Sequence, residues 1–436
     1  MNAKRPRSGD LHLLPTTSSP REEDSGAHSI SSPPPRRMDW SNLGEGPSGM
    51  IAERLLANDV TDYVRFRAVC GPWRQCTADP RAHGTLDRRF LPRRWIMLRE
   101  KAADPDCRRL LNVSTGQCVR AHLPELRGHD VCSPTVEGLL VLLNWSTYVI
   151  RLLNPLTRQV ADLLPATTLY SLYWRAGTYD AYPRLDFEVS GAGLAGDGTV
   201  AVLFEHVQML AVAKPGDEEW TLVKQGTSLL PAISFAGRFY CATDSDIKVV
   251  DTRDNQPPRL VVAAKNNHRF SRITGAAHLL DNEGELIFLS RRAEGEDFFG
   301  EAKYFMKVSQ VDLEARKTQP IRDLGGRAVF IGSSCAISVP PLAFPGIEKN
   351  SVYFLDEGSY FQSIGRYKIV DGTTMSFDEG SGITEACGFN NSIRGYGPHS
   401  IIDYLSQYVK KDTFESFAEK DASDSDSDSD ANCVIC

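Results

Sequence analysis

Residues 137–164 read EGLLVLLNWSTYVIRLLNPLTRQVADLL. Two apolar runs stand in it, Gly138-Leu-Leu-Val-Leu-Leu143 and Tyr148-Val-Ile-Arg-Leu-Leu153. Each has the length of a strand, about 5–6 residues, and is bounded by turn formers. Asn154-Pro155 ends the second run, because Asn bonds its own backbone and Pro fixes φ. The stretch therefore predicts a strand–turn–strand meander. Working outward, the same texture recurs at 94–98, 200–204, 233–235, 247–250, 285–289, 328–331 and 351–355, each run bounded by Gly, Asp, Asn or Pro. Gly196-Asp-Gly198 and Asp371-Gly372 add turns of hairpin type. The runs fall into blocks near 94–121, 131–164, 184–224, 229–263, 272–324 and 327–375. Blocks of a few dozen residues, each a meander, suit the blades of a β-propeller; a large β-sandwich pair is the alternative. No blade carries a Trp-Asp or kelch-type Gly-Gly signature, so the pattern does not give the blade count. The expected fold class is mainly β with a small N-terminal helical module.

That module is residues 40–73, WSNLGEGPSGMIAERLLANDVTDYVRFRAVCGPW. Ile51 and Leu55 lie four apart and share one helix face. Asp59 or Thr61 can cap a second helix. On it Tyr63, Phe66, Val69, Cys70 and Trp73 follow at spacings of three and four, until Gly71-Pro72 breaks or kinks it. Two or three short helices so rich in apolar side chains cannot hide them all in a core of their own. The pattern resembles an F-box, carried by Trp40, Leu43, Ile51, Leu55, Val60, Tyr63, Phe66, Val69, Cys70 and Trp73. The closing Phe-Arg-Ala-Val-Cys-x-x-Trp of residues 66–73 is the most specific piece. Where an F-box has Leu-Pro, this chain has Leu43-Gly44 and then an expected Glu-Gly-Pro-Ser-Gly loop. The resemblance implies docking of these ten residues on a Skp-type linker subunit and through it a cullin.

The β-region resembles the plant KIB-type domain of unknown function that follows many F-boxes, especially in grasses. The carrying pieces are Glu137-Gly-Leu-Leu with Leu153-Asn-Pro-Leu-Thr157, Lys214-Pro-Gly-Asp217 with Trp220, and Phe235-Ala-Gly-Arg-Phe-Tyr240. Further on come Asp281-Asn-Glu-Gly-Glu-Leu286, Leu324-Gly-Gly-Arg-Ala-Val-Phe-Ile-Gly332 and Phe344-Pro-Gly-Ile-Glu-Lys-Asn350 with Val352-Tyr-Phe354. After Gly388 the chain departs from the family, with Arg394-Gly-Tyr-Gly-Pro-His399 in place of its Trp and Pro segment. The resemblance implies a propeller-like domain that recruits a substrate and has no chemistry of its own.

The 436 residues divide by composition. Residues 1–38, rich in Ser, Pro and Arg, are expected to be disordered. An F-box at 39–80 leads through an Arg-rich connector at 81–93 into the propeller-like KIB-type domain at 94–390. A C-terminal helix or closure at 391–411 precedes an acidic disordered tail at 412–436. That tail holds eight acidic residues and one Lys, a net charge of −7, which equals that of the whole chain. The body is therefore about neutral, and no globally acidic or basic partner is implied. Residues 65–109 hold twelve Lys or Arg against five Asp or Glu. Few aromatics stand beside them for base stacking, so a solvated or structural connector is expected and nucleic acid is not.

The ten cysteines are scattered within apolar runs, which suits reduced thiols in the cytoplasm or nucleus. No eighteen-residue apolar stretch occurs, and the N-terminus is polar; neither a membrane helix nor a secretory signal is expected. The glycosylation-type Asn112-Val-Ser and Asn144-Trp-Ser therefore carry no weight. Gly191-Ala-Gly-Leu-Ala-Gly196 fits a dinucleotide fingerprint, but a strand follows it where a helix is needed, so it reads as a hairpin. Histidines and cysteines show no metal-ligand spacing. No catalytic residue, cofactor or metal is expected.

In the tail, Ser423, Ser425 and Ser427 each have Asp three residues on, which suits acidophilic kinases. Cys433-Val-Ile-Cys436 has the form of a prenylation signal at Cys433. Membrane association is expected only with that modification, and only reversibly. These readings sum to a substrate-recruiting F-box adaptor of a cullin ubiquitin ligase with an unidentified protein target. A propeller scaffold acting outside a ligase is the alternative.

Overall fold

A meander of apolar strands twists as it grows and must be covered on both faces, so successive meanders stack against one another. The structure is a computed structural model. It describes Trp40 and residues 43–98, 106–169, 187, 189–204, 207–225, 229, 232–252, 256–266, 275–294, 303–332, 335–344, 347–356 and 363–377. The segments expected at 1–38, 391–411 and 412–436, with Ser423, Ser425, Ser427 and Cys433, lie outside the described residues. The chain divides into two units, 1–43 and 44–436. In the first, Trp40 is 60% exposed and Leu43 is half-buried.

In the second unit the strands form six meanders among the described residues. Blade 1 is Trp95–Met97, Cys107–Asn112 and Cys118–His122. Blade 2 is Asp130–Pro134, Leu140–Leu143, Val149–Leu153 and Val160–Pro165. Blade 3 is Val189–Leu194, Val200–Phe204, Met209–Ala213 and Thr221–Gln225. Blade 4 is Ile233–Phe235, Arg238–Ala242, Asp246–Asp251 and Arg259–Lys265. Blade 5 is Gly275–Asn282, Glu285–Glu294, Lys303–Asp312 and Lys317–Pro320. Blade 6 has five strands, ordered Ala336–Val339, Ala328–Ile331, Ser351–Asp356, Ser363–Lys368 and Thr374–Phe377, the second and third parallel. Blades 4 and 5 join at their outer edges through one parallel pairing, Lys265 with Lys317, and so make a single eight-stranded sheet.

The apolar cores fall between the blades and close a ring. Leu110 and Met97 of blade 1 pack with Leu140 and Leu153 of blade 2. Leu152 and Val141 pack with Val202 and Phe204 of blade 3, and Leu203 and Leu210 with Phe239 and Val250 of blade 4. Val249 and Ala264 meet Leu279 and Phe288 of blade 5. Leu289 and Val308 meet Val329 and Phe354 of blade 6. Blade 6 then returns to blade 1 through Phe330, Val339 and Tyr353 against Ile96, Leu98 and Leu111. Six interfaces with no gap between the first and last blades give a six-bladed β-propeller, and the expected strand blocks coincide with its blades. The sandwich alternative is excluded by this closed order.

The glycine repeat at 191–196 is indeed a hairpin: the strand Val189–Leu194 turns through residues 195–199 into Val200–Phe204. Gly191 lies against the backbone of Ala232 and Gly193 against Ser234. A Cβ on Gly193 would collide with Ser234 Oγ of the neighbouring inner strand, so the missing side chain is what lets blades 3 and 4 approach there.

Candidate docking surface

Three helices precede the blades: α1 (Glu45–Asn58), α2 (Val60–Val69) and α3 (Gly71–Gln75). Residues 45–49, expected as a loop, are the first turns of α1. Pro47 is tolerated there because its missing N–H has no intrahelical acceptor so near the helix start, and Glu45 suits the positive end of the helix. Asp59 ends α1 and caps α2, accepting from Thr61 N at 2.6 Å. The same carboxylate accepts from Trp95 Nε1 at 2.9 Å and Asn112 Nδ2 at 2.7 Å, which ties the α1–α2 elbow to blade 1. Val60 enters the core between blades 1 and 2. Asp59→Ala removes the cap and strands two partly buried donors. It should cost about 1–3 kcal/mol in denaturant melts, whereas Asp62→Ala, whose Arg65 pair is exposed, should change little.

The structure sorts the ten F-box-type residues. Tyr63 and Phe66 are buried with Ala52 and Phe90, and Tyr63 Oη donates to Ala78 O at 2.8 Å. With Val60, they face this chain's own interior and so position the helices. Trp73 lies on α3, which Gly71-Pro72 open after a break at Cys70, and its half-buried ring stacks on Phe66 at 4.4 Å. Leu55 is half-buried against the same cluster, and Cys70 is half-buried at the α2–α3 junction. Ile51 is 38% and Val69 64% exposed. Met50, which the sequence did not single out, is 63% exposed. Of the eight large exposed apolar side chains among the described residues, Trp40, Met50, Ile51 and Val69 all lie at 40–69. Met50, Ile51 and Val69 thus leave an unburied apolar set on the helices of the second unit.

Arg67, one of the twelve cations at 65–109, is 9% exposed and structural. Its guanidinium donates to Thr77 O at 2.6 Å, Thr77 Oγ1 at 2.8 Å and Ala78 O at 2.8 Å, holding the chain as it leaves α3. The connector that follows is tied to the blades at two points. Asn154 Nδ2 of blade 2 donates to Phe90 O at 2.9 Å, and Leu91 enters the core between blades 2 and 3.

The connector borders two hollows, of about 330 and 200 Å³, that share Arg88, Leu91 and Arg93. The smaller reaches Glu137 in the first turn of blade 2 and the glycine turns of blades 3 and 4. Glu137 is 6% exposed, and its Oε2 has no hydrogen-bond partner. Burial pushes its carboxyl above the usual range, against the hydroxyls of Thr135 and Ser234 and the charge of Arg93. Below about pH 4, the ordinary carboxyl range, the folded and unfolded chains both hold this proton, and it costs nothing. As pH rises, the unfolded chain releases it first, so stability falls until the raised folded value is passed. Glu137→Gln lacks that loss. Its thermal advantage over wild type should be near zero at acid pH and grow toward neutrality; a pH-independent difference would overturn the assignment.

The interior holds other polar groups in uncharged form. His278 is fully buried and pushed down to about 3, and the Cys241 thiol is pushed up to about 12, both by burial. Cys70, Cys76, Cys107 and Cys241 are free thiols. Among those residues no group of three or more His, Cys, Asp or Glu is placed to hold a metal ion, and no helix is long and apolar enough to cross a membrane.

Comparison with known proteins places this architecture. An F-box/kelch-repeat protein of Arabidopsis thaliana is 25% identical over 186 residues, 41% of this chain and 47% of that protein. The chain thus spans about half the length of this curated relative. Virginiamycin B lyase of Staphylococcus aureus aligns over 65% of this chain and 83% of its own at 9% identity and a TM-score of 0.33. The Nup133 β-propeller domain of Vanderwaltozyma polyspora aligns over 63% and 82% at 10% identity and 0.30. Scores this low carry no argument. The family match is of another kind: residues 110–377, from blade 1 to the last strand of blade 6, match the KIB1-4 beta-propeller family. This chain belongs to the KIB1-4 β-propeller family.

Proposed function

We propose that this chain recruits a target protein to a cullin-based ubiquitin ligase. In this reading α1–α3 form an F-box that docks on a Skp-type linker subunit, and the propeller binds the target. The carrying observation is the exposed apolar set Met50, Ile51 and Val69 on helices that Asp59 and Val60 fasten to the propeller. A rigid joint of this kind would hold a bound target at a fixed distance from the ligase. A β-propeller together with a distant F-box/kelch-named relative fits a protein-interaction role. The chain itself is proposed to catalyse nothing: His278 and Cys241 are held neutral and shielded, which suits packing better than proton transfer or nucleophilic attack. A cytoplasmic or nuclear setting follows from the ligase assignment.

The test is co-purification of a Skp-type linker with the full chain. Recovery of a one-to-one complex supports the adaptor reading. A folded chain that recovers no linker overturns it in favour of a propeller scaffold acting outside a ligase.

A further inference from the structure

The two connector hollows share Arg88 and Arg93, whose guanidinium groups have no hydrogen-bond or ion-pair partner among the described residues. Arg89 is different: its guanidinium is held by Asp87 at 2.7 Å. Arg88 lies across the glycine turns of blades 3 and 4, where a Cβ on Gly237 would come 3.2 Å from Nη2 and one on Gly196 3.7 Å from Nη1. Gly196, Gly198 and Gly237 line the hollow there without side chains, which leaves room for the Arg88 guanidinium over the turns. Glu137 lines the same hollow, buried, with one carboxyl oxygen unsatisfied. Leaving such an atom unpaired is costly, and a ligand that pairs it recovers the loss.

We propose that this hollow holds an anionic group, a carboxylate or a phosphate, carried by a peptide of the recruited target. Two unpaired guanidinium groups favour an anion over a cation there, and a planar guanidinium matches both oxyanions. Glu137 contributes in its protonated form, which the surrounding burial favours, as a donor to the same anion. The larger hollow continues from Arg88 and Arg93 past Arg94 to Glu53 and Asn58 of α1. Two adjoining hollows suit a length of chain rather than a free ion. The assignment rests on the propeller being the target-binding part, and not on linker docking.

The experiment uses the full chain and a fluorescein-labelled octapeptide of alternating Gly and Glu. The same peptide with a central phosphoserine, a Gly–Gln version and inorganic phosphate complete the set. Expected are binding of both acidic peptides, weakening as salt rises, and none of the Gly–Gln peptide. Arg88→Ala and Arg93→Ala should each weaken acidic-peptide binding by about tenfold or more, the scale of one lost charge-assisted hydrogen bond. Both side chains are exposed, so these variants should melt like wild type. Glu137→Gln, whose amide still donates, should retain binding. Equal binding by the arginine variants, equal binding of the Gly–Gln peptide, or no binding of either acidic peptide overturns the site. Inorganic phosphate binding as tightly as the phosphopeptide overturns its peptide character. All these outcomes are independent of linker co-purification, so failure here and failure of the adaptor reading are distinguishable.

Discussion

Replacing Phe330 by Ala should cost about 3–5 kcal/mol of stability, the scale of a large core aromatic truncated to a methyl. Phe330 is fully buried. Its ring stacks on Tyr353 at 4.8 Å and 10°, within the core that joins the last blade to Ile96, Leu98 and Leu111 of the first. A propeller closes only if its terminal blades hold each other, because an unclosed ring exposes two sheet faces that are apolar by construction. The loss should appear as a lower denaturant midpoint, followed by tryptophan fluorescence. Val370→Ala, at a site 63% exposed, should stay within about 0.5 kcal/mol of wild type. An unchanged midpoint for Phe330→Ala would mean that blades 1 and 6 do not close the ring in solution.

The blades were legible because buried strands need uninterrupted apolar runs and hairpins need turn formers, and both are local properties. One local signal was overlooked. Asn112-Val-Ser-Thr-Gly116, Asn144-Trp-Ser-Thr-Tyr148 and Asn154-Pro-Leu-Thr-Arg158 are the same turn in three hairpins. In each, the Asn side chain accepts from the backbone N–H groups two and three residues on. The fifth residue of each takes a positive φ: 73°, 57° and 62°. Asp312 repeats the device in blade 5, accepting from Glu314 N and Ala315 N, with Arg316 at φ 55°. Two of these were met as glycosylation-type matches and set aside; read as Asx turns, they are the repeat that the strand pattern lacked.

What was not legible depends on contacts between distant segments. Nothing near Lys265 or Lys317 announces that the outer strands of blades 4 and 5 pair. Glu137 was visible only as a piece of the family resemblance. Its buried, half-satisfied carboxyl arises because residues from the connector and from the turns of three blades meet around it. Composition alone could not tell the structural arginines of the basic stretch from the solvated ones; Arg67 is structural because the exit of α3 folds back over it. On the helices, periodicity found the apolar residues but could not divide inward from outward ones. A module fused to a larger domain buries part of its apolar set against that domain, as Val60 does.

That division sets how the docking surface should respond to mutation. Val69→Asp and Ile51→Asp place a carboxylate on side chains already 64% and 38% exposed, so the isolated chain should fold and melt much as wild type. Inside a docked interface the same carboxylate would be buried without a partner. The expected penalty is about 2–5 kcal/mol, a loss of ~30-fold to several thousandfold in affinity for a Skp-type linker. Leu55→Asp should lose the linker too, but its side chain also touches the Ala52, Tyr63, Phe66 and Phe90 cluster, so part of its effect should register as a lower melting temperature. Tyr63→Asp and Phe66→Asp should fail by unfolding the helices and report nothing about contact. Glu314→Lys, in an exposed turn of blade 5, should bind the linker as wild type does. The measurement is linker affinity by calorimetry beside a thermal melt for every variant. Wild-type affinity in a folded Val69→Asp, Ile51→Asp double variant would remove this face of the helices from the interface, even if the linker binds elsewhere on the chain.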